Sequence, residues 1–87
     1  MITGPQIRAA RALLNWSAGE LARRARLGSA TVQRAEAASG IPMTQAPNLH
    51  AIQMAFEQAG IVFLEGGHAS PGGGPGLRLR GIGRPTR

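Results

Sequence analysis

A mainly α-helical fold, with four helices followed by a short C-terminal β-hairpin, is the class this sequence predicts, and three observations predict it. Apolar residues recur at helical spacing in four separate stretches up to residue 60. Helix-start and helix-stop residues, among them Pro5, Ser17, Gly28 and Gly60, fall between those stretches. Beyond residue 60 the period becomes the alternation of a strand, interrupted by a glycine- and proline-rich stretch. At 87 residues the chain has room for one small domain, of a size that often gains stability by dimerising.

The first helix opens at Pro5, after Gly4, where a missing N–H leaves no bond unmade, and it runs to about Leu14. Ile7, Ala10 and Leu14 form its buried stripe, and Arg8 lies toward solvent. Asn15 and Trp16 end it, with Trp16 expected in the core between two helices. Ser17 and Glu20 form an S-x-x-E capping box, so the second helix runs from about Ala18 to Arg26. Leu27 and Gly28 occupy the turn, and a third helix covers about Ser29 to Ala38. Ser39, Gly40 and Pro42 break the pattern, leaving residues 39 to 47, Pro47 included, as a loop. Asn48 caps a fourth helix that reaches Ala59, with Leu49, Ile52, Ala55 and Phe56 on its apolar face and Gly60 as C-cap.

Residues 61 to 65 are rich in strand formers, and residues 76 to 81 alternate Leu77 and Leu79 against Arg78 and Arg80. The two segments pair as a hairpin across a loop that includes GGGPG at 72 to 76. That loop lacks the lysine and helix of a phosphate cradle and is a connector. A lone two-stranded hairpin is marginal in water, so a helix or a second subunit must cover its apolar face. Phe63, Leu77 and Leu79 are the expected apolar anchors of a dimer. The chain therefore divides into a helical domain at 1 to 60, a hairpin and dimerisation element at 61 to 81, and a disordered basic tail at 82 to 87.

Composition excludes several classes. No cysteine is present, so neither a disulfide framework nor a thiolate zinc site exists. With no aspartate, four scattered glutamates, and His50 and His68 far apart, no general acid–base pair or metal site is expected; the chain reads as a non-enzyme without cofactor. The net charge is +6, and its distribution is uneven. Residues 1 to 40 hold six arginines and two glutamates, residues 41 to 70 hold two glutamates and no arginine, and residues 71 to 87 hold four arginines. A basic front and a basic tail suit phosphates, and Arg84 and Arg87 are candidates for added contacts to them. No segment has the pattern of a targeting signal, and the apolar run at 61 to 64 is far too short to span a bilayer. A cytoplasmic, nucleoid-associated location with no membrane partner is the expectation.

Residues 17 to 36, SAGELARRARLGSATVQRAE, carry the functional reading. Leu21, Ala22 and Ala25 make one apolar stripe, and Val32 and Ala35 make the facing one. Small Ala22 at the crossing lets the two helices approach closely. The second of these helices keeps a polar, basic face of Ser29, Ala30, Gln33 and Arg34. A short helix of that kind suits a DNA major groove, with its N-terminal residues reaching base edges.

On Leu21-Ala22, Thr31-Val32 and the Arg34-x-Glu36 ending, residues 5 to about 60 resemble the lambda-repressor-like helix-turn-helix family, the Cro or XRE family. The resemblance implies a DNA-binding transcriptional regulator, a homodimeric repressor that reads an inverted-repeat operator in double-stranded DNA. It implies base-reading positions at Ser29, Ala30, Gln33 and Arg34, with Arg34 on a guanine edge or a phosphate and Thr31 on the backbone. It also implies a structural ion pair between Arg11 and Glu36. Three positions depart from the family pattern: Ala18 replaces a phosphate-gripping glutamine, Arg26 a turn glycine, and Gly28 a capping serine or threonine. Either Arg26 adopts the left-handed conformation, or the turn shifts, with Gly28 taking positive φ and Ser29 becoming the cap. These departures place part of the DNA affinity on Arg23, Arg24 and Arg26. The alternative is an antitoxin-like or adaptor protein whose main role is to bind a protein partner, such as a toxin or RNA polymerase.

Overall fold

The computed structural model describes residues 2–64 and 76–79. Four helices, α1 (Gly4–Leu14), α2 (Ala18–Ala25), α3 (Ser29–Ala37) and α4 (Ala46–Gln58), precede a two-stranded antiparallel sheet of β1 (Ile61–Leu64) and β2 (Gly76–Leu79). The expectations for residues 65–75, for Arg80 and for the tail at 82–87 lie outside the described residues.

Thr3 caps α1 through a reciprocal box: its hydroxyl accepts from the Gln6 N–H at 3.3 Å, and the Gln6 amide oxygen accepts from the Thr3 N–H at 2.9 Å. Helix α1 therefore starts one residue before Pro5. Asn15, at φ 59° and ψ 38°, ends the helix in the left-handed conformation that asparagine tolerates well. At α2 only half of the expected box forms. The Ser17 hydroxyl accepts from the Glu20 N–H at 3.0 Å, but the Glu20 carboxylate is drawn instead to Arg23 and Arg24.

The α2–α3 turn resolves the two sequence alternatives. Arg26 takes the left-handed conformation at φ 58° and ψ 45°, while Gly28 is an extended N-cap at φ −69° and Ser29 is the first helical residue. Holding a non-glycine residue there costs about 1 kcal/mol.

Helix α4 begins at Ala46, two residues ahead of the expected Asn48 cap, because Pro47 sits inside the first turn rather than in the loop. Its missing N–H is one that no helix interior would bond. Ala59 closes α4, and Gly60 beyond it carries the positive φ, +103°, that reverses the chain into β1.

The core lies where the four helices meet, with Ile7, Leu21, Val32, Leu49, Ile52 and Phe56 among its fully buried side chains. Trp16 is half-buried and stacks on Phe56 at 5.5 Å between ring centroids, while Phe63 meets Phe56 edge-on at 5.9 Å. Three aromatic rings thus join the α1–α2 turn, α4 and β1.

The hairpin pairs Ile61 with Leu79 and Phe63 with Leu77, placing these four residues on one face of the sheet. That face is covered by the chain's own helices, as Phe63 and Leu77 pack against the helical core. Leu79 is 36% exposed. Two of the three expected dimer anchors are therefore engaged within the chain. The docking is sealed by Gln6, which is buried and donates both amide hydrogens to strand carbonyls, Leu64 at 3.2 Å and Gly76 at 2.8 Å.

Candidate nucleic-acid interface

Helix α3 is held on one side and open on the other. Val32, Ala35 and Glu36 are buried, whereas Ser29, Ala30, Gln33 and Arg34 are exposed and Thr31 is half-exposed. The exposed residues follow from the helical period once the buried stripe is fixed. Among the described residues, Gln33 and Arg34 have no hydrogen-bond or ion-pair partner, so their side chains are available to a ligand.

The orientation of this helix depends on α1. Arg11 forms a bidentate pair with Glu36, Nε to Oε2 at 2.7 Å and Nη2 to Oε1 at 2.9 Å, and its Nη1 donates to the Trp16 carbonyl at 2.8 Å. The Glu36 side chain is one-tenth exposed, so a partner lost from this pair leaves a charge poorly solvated, at a cost on the order of 3–5 kcal/mol. Arg8, exposed as expected, also donates to the Glu36 backbone carbonyl. Two guanidiniums of α1 thus grip the last turn of α3, one by its carboxylate and one by its backbone.

Close contact at the start of α1 adds to this hold. The Gly4 N–H donates to the Gly40 carbonyl at 2.9 Å, and a Cβ on Gly4 would lie 2.0 Å from the Ala38 carbonyl oxygen. Only glycine fits beneath the chain leaving α3.

The arginines of α2 and of its C-cap divide into two groups. Arg23 donates to Glu20 through Nε at 3.3 Å and Nη2 at 2.5 Å, and Arg24 donates to the same carboxylate through Nε at 2.6 Å. The Arg24 guanidinium also lies over the Trp16 ring, 4.4 Å from its centroid. Hydrogen bonds from Arg23 first and Arg24 second hold the Glu20 carboxyl below its ordinary range. Arg26, exposed at the turn, has no such partner among the described residues.

Beside α3, the segment leading to α4 forms the wall of a shallow groove lined by Thr31, Arg34, Thr44, Gln45 and Asn48. Met43 stands fully exposed on this wall, and Ile41 is more than half exposed. Sequence periodicity gave no sign of these apolar residues at the surface, because they lie in a loop. The signals missed for Thr3 and Gln6 were present: T-x-x-Q at 3 to 6 is the same capping pattern as S-x-x-E at 17 to 20.

Among the described residues, no group of three or more His, Asp or Glu side chains is placed to hold a metal ion. No helix among them is long and apolar enough to cross a membrane. Compared with known proteins, the chain matches no protein-family model and no curated protein.

Proposed function

We propose that the chain is a lambda-repressor-like helix-turn-helix protein that binds double-stranded DNA in a sequence-specific way and regulates transcription, acting as a homodimeric repressor. The observation that carries this reading is the two-sidedness of α3: three buried residues fix it to the core while Ser29, Ala30, Gln33 and Arg34 stand exposed. A polar, cationic helix face with no internal partner suits base edges, where arginine takes guanine O6 and N7 and glutamine takes adenine. Thr31, Arg26 and the polar groove beside Arg34 are suited to the flanking phosphates. In a dimer, two such helices would lie about 34 Å apart and read an inverted repeat.

Selection from a randomised duplex library tests this reading, with recovered sites measured against Arg34→Ala. A palindromic site whose half-sites lose affinity by about 1–3 kcal/mol in the variant is the expected result. Recovery of no motif, with binding indifferent to Arg34, sinks it.

One observation favours a second reading, a module that chiefly binds a protein. Exposed Met43 and Ile41 flank Arg34, and apolar side chains beside an arginine are typical of protein contacts. Co-purification of a stoichiometric partner that is lost on Met43→Ser would move the primary role there.

A further inference from the structure

We propose that Glu20 is an internal stand-in for a DNA phosphate, occupying the Arg23–Arg24 pair and thereby limiting sequence-independent binding. The inference rests on the DNA-binding reading and adds to it a residue that sets specificity.

The argument starts from the geometry of three side chains on one exposed surface of α2. One carboxylate receives three N–H donors, two from Arg23 and one from Arg24, at 2.5 to 3.3 Å. Guanidinium groups bind carboxylate and phosphate through the same planar fork, so an anion already in that fork competes directly with a nucleic-acid phosphate. The competitor is always present, because it lies three and four residues away on the same helix.

Arg24 is further fixed by its position over the Trp16 ring, and Trp16 is in turn stacked on Phe56. The ring contact holds its guanidinium independently of the Glu20 carboxylate. The pair is a formed anion site holding an anion from its own chain.

The consequence concerns the balance of two kinds of binding. Phosphate contacts release counterions and act on any sequence, whereas base contacts discriminate. With Arg23 and Arg24 occupied, Arg26 and Arg34 are the described arginines of the α2–α3 unit without an internal anion. Arg34 lies on the proposed reading face, so sequence readout contributes a larger share of the total. Removing Glu20 would increase affinity for any duplex and reduce the advantage of a correct one.

The experiment is equilibrium binding of a short duplex of arbitrary sequence by the full chain across a range of salt concentrations. Wild type is compared with Glu20→Gln, with Gln58→Lys as an equal change of net charge at the exposed end of α4, and with Glu20→Gln combined with Arg23→Gln and Arg24→Gln. Glu20→Gln is expected to bind about tenfold tighter at low salt, with a log–log salt slope steeper by about one to two. The triple variant should return toward the wild-type slope, and Gln58→Lys should leave it unchanged. Equal effects of Glu20→Gln and Gln58→Lys would overturn the proposal, since net charge alone would then account for both.

The same proteins on immobilised heparin distinguish the two ways of failing. Later elution of Glu20→Gln than of Gln58→Lys, with no duplex binding by any variant, keeps the occupied anion site and overturns the DNA reading. Coincident elution with intact, Arg34-dependent duplex binding overturns the role of Glu20 alone. Coincident elution without duplex binding overturns both.

Discussion

Arg26 is the residue at which stability and the proposed function conflict. It occupies a left-handed turn position that glycine fills without steric cost. Arg26→Gly is therefore expected to stabilise the fold by up to about 1 kcal/mol, less the greater freedom of glycine in the unfolded chain, and chemical denaturation would show it. The same variant should weaken duplex binding and lower its salt slope by about one, because a cation next to α3 is gone. A stabilised variant with unchanged binding would remove Arg26 from the interface. The residue would then be a strained turn position without a role in binding. Asn15 shows the contrast: it adopts nearly the same backbone angles at the end of α1, where asparagine is at ease.

At the scale of elements, α1 organises the molecule although it carries none of the proposed base contacts. One side of it grips α3 through Arg8 and Arg11, and Gln6 grips the hairpin through two carbonyls. Gln6→Ala would leave those carbonyls and the Thr3 N–H without their partner, at a cost of about 1–3 kcal/mol. The loss should be local. Amide hydrogen exchange is expected to show Val62, Phe63 and Leu77 losing protection while α2 and α3 keep theirs. Uniform loss throughout would mean that the hairpin and the helices unfold as one unit.

This division also marks how far the sequence could be read. Helices α1 to α3 were legible to within a residue or two, because Pro5, Ser17 and Gly28 mark their starts locally. Helix α4 was misplaced at its start, since Pro47 reads equally as a loop breaker and as a first-turn residue. The Arg11–Glu36 pair came from resemblance, as nothing local links positions 25 residues apart. Arg8 escaped notice because its acceptor is a backbone carbonyl, which leaves no trace in residue identity. Glu20 was expected to close a cap, but two arginines compete for it on its own helix face.

For the whole molecule, the governing facts are small size and a charge of +6. Two copies repel each other, so a homodimer needs an apolar contact that outweighs this repulsion. Phe63 and Leu77 are engaged with the chain's own helices, whereas Leu79 at the end of β2 is partly open. Leu79→Arg is expected to convert a dimer into a monomer by light scattering, with the helical circular dichroism unchanged. A dimer that survives the substitution uses another surface. The uncharged groove lined by Pro5, Ala9, Ala12, Leu13 and Gly76 would be the next to examine.

The reach of Gln6 imposes an order on assembly. Its two acceptors lie 58 and 70 residues further along the chain, whereas the Arg11–Glu36 closure spans 25. Shorter loops close at lower entropic cost, so the helices can assemble before the hairpin arrives. During synthesis the side chain of Gln6 would wait for Gly76, made 70 residues later, to emerge. The hairpin is then the last piece to dock, and a chain stalled before it leaves an unsatisfied amide and an uncovered patch of core at its first helix.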